Sequence, residues 1–182
     1  MRIAGALVGA LLLTGCSLAT PVPAPSPSSA ESALAKSEFT IVTPADRTLF
    51  PEWSATDLDG YAWNTSSLGA RLTVVNFWAS WCLPCETEWP ELQSAAADHR
   101  SVNFIGIDTM DEMPAARQFI KDHPSDYRQL VDGTAHILQS LDGMPHSALP
   151  TTIILDGTRR IAAWKAGPTS AAQLRRALAR IT

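Results

Sequence analysis

The sequence is poor in cysteine: its 182 residues contain three, at positions 16, 82 and 85. Three thiols are too few for a disulfide-stapled scaffold, so a fold of this size needs an ordinary hydrophobic core. The chain also lacks a run of like charge, and its net charge of −4 argues against a nucleic-acid partner. Residues 3–13 are apolar, but this run is well short of the ~20 residues that span a bilayer.

The first residues have the pattern of an export signal. Arg2 supplies a positive charge, residues 3–13 are apolar, and Leu13-Thr14-Gly15-Cys16 resembles the lipobox of bacterial lipoproteins. The resemblance implies cleavage before Cys16 and lipidation of its thiol. We therefore expect residues 1–15 to be a lipoprotein signal peptide, with the mature chain lipid-anchored on the extracytoplasmic side of the cell membrane. The alternative is an ordinary cleaved signal peptide followed by a chance cysteine.

Proline, serine and alanine dominate residues 18–35. Such a segment cannot bury enough apolar surface to offset the entropy lost on ordering, so it predicts an extended and mobile linker. We expect residues 16–45 to form the lipid anchor and a flexible tether. The remaining residues 46–182 are enough for one domain.

Within this domain, apolar periodicity and turn residues alternate between strand and helix patterns. The predicted elements are a hairpin around 57–63, strands at 72–78 and 102–108, helices at 82–99 and 114–122, a strand at 127–131, a helix at 135–141 capped by Thr134, strands at 151–155 and 160–165, and a helix at 171–181 capped by Ser170. This order predicts an α/β fold with a mixed central β-sheet flanked by helices.

Cys82 and Cys85 open a predicted helix at the end of a predicted core strand. The unsatisfied N–H groups of a helix N-terminus stabilise a thiolate, which is the form that attacks disulfides. The spacing places Cys85 one turn along, so the two thiols can form a disulfide with each other. We expect Cys82 to be the exposed attacking thiol and Cys85 the buried resolving thiol. A structural disulfide and half of a zinc site are the alternatives, although no second Cys-x-x-Cys pair or close histidine pair completes a zinc site.

The sequence around this pair resembles the active site of thioredoxin. Residues 77–85 read Phe-Trp-Ala-Ser-Trp-Cys-Leu-Pro-Cys, Pro90 matches the helix-kinking proline of that family, and Leu149-Pro150-Thr151-Thr152 matches its cis-proline loop. The resemblance implies a thioredoxin-like fold and a cis peptide bond before Pro150. It also implies a substrate groove beside the cysteines, formed by Trp81, Leu83, Pro84, Leu149 and Pro150.

Within that superfamily the chain is similar to the TlpA/ResA-like thiol–disulfide oxidoreductases. The similarity rests on the export signal, the hairpin before the core strand, a central strand–helix insertion at about 108–141, and Glu88 at the place of an active-site glutamate in this group. Thioredoxin has a titrating aspartate where this chain has Asn76. We therefore expect Glu88 to be partly buried beneath the pair, with a raised pKa, and to exchange a proton with Cys85.

The resemblance implies an enzyme that exchanges disulfides with exported proteins and needs neither a metal nor an organic cofactor. Its expected partners are exported protein thiols, among them apocytochrome c, and a membrane redox protein that recycles the pair. A DsbE-like exported oxidant is the closest alternative. A thiol peroxidase is less favoured because Ala79 stands where its motif has threonine, and a copper metallochaperone because the cysteine spacing is too narrow, although His146 lies in a late loop.

Overall fold

The computed structural model describes residues 37–146 and 148–181. The predicted signal peptide, Cys16 and most of the predicted tether therefore lie outside the described residues. The strands are β1 (Thr40–Ile41), β2 (Ser54–Thr56), β3 (Ala62–Asn64), β4 (Thr73–Trp78), β5 (Asn103–Thr109), β6 (Arg128–Asp132), β7 (Thr151–Leu155) and β8 (Ile161–Ala166). The helices are α1 (Leu83–Asp98), α2 (Met113–Asp122), α3 (His136–Gln139) and α4 (Ala171–Ile181), with a 3₁₀ turn at Thr65–Leu68.

A six-stranded sheet in the order β1-β8-β7-β4-β5-β6 forms the centre of the fold. Strands β4, β5 and β6 are parallel, whereas β7, β8 and β1 run antiparallel to their neighbours. The hairpin β2–β3 is a separate two-stranded sheet. This is the predicted mixed α/β architecture with an N-terminal hairpin and a central insertion.

Strand β4 is buried along its whole length, and alternate side chains enter different layers of the core. Val75 and Phe77 pack in the layer that holds α3 and the hairpin tryptophans. Val74 packs with α1 and α4 on the opposite face. Trp78 joins that second face, where it contacts the start of α1 and helix α2. Strand β4, in the interior of the sheet, therefore leads directly into the Cys82–Cys85 segment.

The folded region begins before residue 46, so the predicted boundary of the tether was wrong. Residues 40 and 41 pair with Trp164 and Ala163 of β8, and Phe39 is buried against α4. Phe39, just before this short strand, and Ile41 within it are separated by the exposed Thr40, which is the pattern of a half-buried edge strand.

Helix α3 begins differently from the prediction, in which Thr134 was its cap. The carboxylate of Asp132 accepts hydrogen bonds from the backbone N–H groups of His136 (3.0 Å) and Ile137 (2.9 Å). Ala135 occupies the N-cap position with a left-handed backbone and no side-chain cap bond. A residue at the end of β6 thus replaces the local cap that the sequence indicated. Ser170, by contrast, accepts a hydrogen bond from the N–H of Gln173, as predicted.

We expect Asp132→Ala to lower the free energy of unfolding by about 1–2 kcal/mol, because two N–H groups lose their acceptor. Thr134→Ala is the matched control and should change stability by less than about 0.5 kcal/mol. Urea denaturation of both variants at neutral pH measures the difference. Equal effects of the two substitutions would contradict this assignment of the cap.

Candidate active site

Cys82 is the N-cap residue of α1, immediately beyond the strand β4 that ends at Trp78. Its backbone is extended, and Pro84 lies in the first turn of the helix, where a missing N–H breaks no hydrogen bond. The Sγ of Cys82 accepts a hydrogen bond from the N–H of Cys85 at 3.2 Å. The same helix terminus therefore positions both cysteines and points a donor at the first sulfur.

Cys82 and Cys85 are joined by a disulfide, with Cα atoms 5.3 Å apart. Both side chains are buried: Cys82 is 4% exposed and Cys85 is 0% exposed. Cys82 is the more accessible of the two, but the prediction that it is an exposed residue was wrong in the oxidised protein. The reason is that both cysteines belong to an apolar cluster with Trp78, Trp89 and Phe119.

The proline loop lies beside this cluster. The Leu149–Pro150 peptide bond is cis, as the family resemblance implied. Leu149 is half-buried and packs against the apolar cluster that contains both cysteines. Thr151 pairs with Phe77 of β4, which aligns the start of β7 with the strand that leads to Cys82.

The other predicted groove residues differ in their exposure. Trp81 is 60% exposed and Leu83 is 71% exposed, whereas Pro84 is half-buried and Pro150 is buried. Such large exposed apolar side chains next to a reactive bond are typical of a surface that binds another chain. The indole N–H of Trp81 donates to the carbonyl of Met110 at 2.9 Å, which anchors the ring beside the loop after β5.

Glu88 lies one helical turn beyond Cys85 and is 2% exposed, so it is fully buried rather than partly buried. Its Oε1 accepts a hydrogen bond from Nδ2 of Asn76 at 2.8 Å, and its Oε2 accepts one from the N–H of Thr169 at 2.7 Å. Burial raises the pKa of Glu88 to about 8, against the opposing effects of these two hydrogen bonds and of the charge on Lys165. A carboxyl group with this pKa can both accept and release a proton near neutral pH.

Asn76 links this carboxyl group to the proline-loop strand. Its Nδ2 also lies 3.2 Å from the Oγ1 of Thr152 in β7, which in turn lies 3.5 Å from the Oγ1 of Thr169. Asn76, which cannot titrate, therefore orients Glu88, which can.

Two further buried ionisable groups lie in this half of the fold, and the sequence interpretation missed both. Asp108 is 0% exposed at the end of β5, and burial, with the nearby carboxyl of Asp111 as the next cause, raises its pKa to about 8. Lys165 is 1% exposed in β8. Each occurs within an apolar strand pattern, and this interruption is the signal that could have revealed them.

The described residues contain no group of three or more His, Cys, Asp or Glu side chains that could hold a metal ion. His146 is exposed, and its Nδ1 lies 3.1 Å from the carbonyl of Leu138. Within the same described part of the chain, no helix has the length and apolarity needed to cross a membrane.

A mixed sheet that ends in a helix-capping disulfide, with a cis-proline loop packed against it, defines a thioredoxin-like thiol–disulfide oxidoreductase. The chain belongs to the AhpC/TSA family, whose sequence profile matches residues 47–164.

Individual relatives agree with this class. Thiol-disulfide oxidoreductase ResA of Bacillus thuringiensis is 25% identical over 134 residues, which are 72% of this chain and 76% of that protein. Thiol:disulfide interchange protein HelX of Rhodobacter capsulatus is 32% identical over 98 residues, 54% of this chain and 53% of that one. A solved DsbF homologue from Corynebacterium diphtheriae superposes with a TM-score of 0.73 at 25% identity, covering 80% of this chain and 94% of the other. The chain is therefore an enzyme of the ResA/DsbE type.

Proposed function

We propose that the protein is a membrane-tethered, extracytoplasmic enzyme that exchanges disulfides with exported proteins through Cys82 and Cys85. The observation that carries the proposal is the disulfide at the N-terminus of α1, with its more accessible sulfur bordered by exposed Trp81 and Leu83. Attack on this disulfide by a substrate thiolate, or attack of the Cys82 thiolate on a substrate disulfide, gives the same mixed disulfide on Cys82.

In the reducing direction, the Cys82 thiolate attacks one sulfur of a substrate disulfide and the other substrate sulfur leaves as a thiolate. Cys85 then attacks Cys82 of the mixed disulfide, which closes the Cys82–Cys85 bond and releases the second substrate thiolate. Cys85 must lose its proton for this second step. Glu88, one turn away with a pKa of about 8, is the group we assign to accept that proton.

The groove is proposed to comprise Trp81, Leu83, Pro84, Leu149 and Pro150. The first two offer apolar contact area outside the disulfide, and Leu149 packs against the disulfide cluster. An extended segment of an exported protein with a cysteine pair fits such a shallow apolar surface better than a small enclosed ligand does.

The lipobox resemblance at Cys16 and the residues that follow it support the tethered location, and the secreted thiol-disulfide isomerase of Corynebacterium glutamicum, 27% identical, supports an exported one. We propose reduction of cysteine pairs, such as those of apocytochrome c, with a membrane redox protein recycling the pair. A DsbE-like oxidant would use the same site with the opposite electron flow, because direction depends on the reduction potential relative to the partner.

Trapping tests this proposal. In cell envelopes, Cys85→Ser should accumulate mixed disulfides between Cys82 and exported proteins, because the resolving thiol is absent. The matched control is the double variant Cys82→Ser/Cys85→Ser, which should trap nothing. Mass spectrometry of the trapped species names the substrates, and an envelope in which the two variants give identical patterns would refute the exchange mechanism.

A further inference from the structure

Lys165 is a buried cation near the redox site. Its side chain is 1% exposed, and its Nζ donates hydrogen bonds to the carbonyl oxygens of Pro168 at 2.7 Å and Gly167 at 3.3 Å. A buried ammonium group is unfavourable unless its charge is compensated, so its location in an otherwise apolar strand calls for an opposite charge nearby.

One peptide group connects this ammonium to Glu88. The carbonyl of Pro168 and the N–H of Thr169 belong to the same peptide unit. The carbonyl accepts from Lys165 Nζ, and the N–H donates to Oε2 of Glu88 at 2.7 Å. The cation therefore lies at the acceptor end of the peptide dipole and the carboxyl at its donor end. In this order each hydrogen bond polarises the peptide in the direction that strengthens the other.

We propose that Lys165 is a positioning residue of the redox site, which acts through the Pro168–Thr169 peptide unit to hold the Glu88 carboxylate beneath the disulfide and to compensate its charge. This inference deepens the proposed function, because it rests on Glu88 as the proton acceptor for Cys85. Lys165 itself contacts no reacting sulfur in this scheme. Its contribution is to keep a fraction of Glu88 ionised, and therefore able to accept a proton, at neutral pH.

The groups that face this pair are few. Glu88 interacts with Lys165 from β8 and with Tyr127 from the segment before β6, while Glu38 acts on Lys165 from the N-terminal segment. Burial lowers the pKa of Lys165, and the charge of Glu88 is the largest effect that opposes this decrease. Loss of the ammonium would remove the one cation among these groups, so Glu88 should bind its proton more tightly.

Carboxyl ¹³C NMR of the oxidised protein tests the inference, with the Glu88 resonance assigned by its loss in Glu88→Gln. Lys165→Met should raise the proton affinity of Glu88 about tenfold. Lys165→Arg should leave the proton affinity of Glu88 close to that of the wild-type protein, because it keeps the positive charge. Lys121→Met removes one exposed positive charge from α2 and serves as the control, which should leave the titration unchanged. An unchanged Glu88 titration in Lys165→Met would overturn the inference.

The pH profile of the resolving step separates this inference from the proposed role of Glu88. The rate at which Cys85 releases a disulfide-bound peptide should rise with pH in a step near the Glu88 titration. Lys165→Met should move that step to higher pH. If Lys165→Met shifts the Glu88 titration but the release rate has no such step, Lys165 compensates the charge of Glu88 as inferred, whereas the proposed proton transfer from Cys85 to Glu88 is refuted.

A measurement on the wild-type protein covers the case in which Lys165→Met does not fold. The ¹⁵N resonance of Lys165 Nζ should change over the pH range in which Glu88 titrates, and this change should be absent in Glu88→Gln. An Nζ resonance that is insensitive to Glu88 ionisation would equally overturn the inference.

Discussion

Cys82→Ser will lower the rate of disulfide reduction by at least about 10³-fold, the scale expected when a nucleophile is removed. The hydroxyl of serine remains protonated at neutral pH and is a poor nucleophile toward disulfides, whereas a thiol at a helix N-terminus ionises more readily. The N–H of Cys85 already donates to the Sγ of Cys82 in the disulfide. Reduction of a disulfide-containing peptide with dithiothreitol as electron donor measures the loss.

Cys85→Ser is the matched comparison, because it removes the same atom one helical turn away. This variant should lose multiple turnover, yet it should form the mixed disulfide with the peptide at close to the wild-type rate in a single-turnover experiment. The two substitutions thus separate attack from resolution. If Cys82→Ser still formed a mixed disulfide and Cys85→Ser did not, the roles of the two cysteines would be reversed.

The burial of the disulfide bears on the substrates that the proposed exchange could use. Cys82 is 4% exposed, so the approach to its sulfur is narrow, and the side chains that border it are apolar. A folded surface without an accessible cysteine cannot reach the bond, whereas an extended segment can place a cysteine at its edge. This geometry favours substrates whose cysteines are not yet enclosed in a native core.

Features with local sequence signals were predictable. The buried run of β4, the proline-containing first turn of α1 and the Leu149-Pro150 loop all follow from short patterns or from the family resemblance, and the structure places them together. Their relative positions depend on the strand order of the sheet, which the sequence analysis did not predict.

Features that depend on tertiary contacts were not predictable. Asp132 caps α3 from the end of β6, although Thr134 is the residue with the right local position. Lys165 can be buried because the carbonyl of Pro168 accepts its hydrogen bond, a partner that no spacing rule indicates. Burial also determines the chemistry of Glu88: the sequence located it one turn from Cys85, but only its contacts with Asn76 and Thr169 explain how it remains buried.

Because of Glu88, the free energy of unfolding should decrease as pH rises from about 4.5 to about 8. Its pKa is about 8 when folded and near the ordinary value of 4.5 when unfolded, so the unfolded chain loses this proton first. The stabilising contribution is therefore fully present below pH 4.5 and is lost as pH rises through 8, with a total on the order of a few kcal/mol.

Glu88→Gln removes this titration, because glutamine resembles the protonated acid in shape and charge. We expect the variant to be less stable than, or equal to, wild type near pH 5 and more stable than wild type near pH 9, by a few kcal/mol. Urea denaturation of both oxidised proteins across this range measures the difference, since disulfide-bonded cysteines do not titrate. Asp108, whose pKa is also about 8, contributes equally to both proteins and cancels. A difference that stays constant with pH would show that Glu88 does not titrate in this range.

The same variant tests the coupling of Glu88 to the thiols in the reduced protein. An ionised carboxylate one turn from Cys85 disfavours a second negative charge there, so Glu88→Gln should lower the pKa of the Cys85 thiol. Cys82 lies at the N-cap of α1, farther from Glu88 than Cys85 is along the helix, so its pKa should change less. Alkylation rates of each cysteine as a function of pH, resolved by mass spectrometry, give both values. If neither thiol responds, Glu88 is a structural carboxyl that stabilises the fold at low pH, and solvent must accept the proton that Cys85 loses.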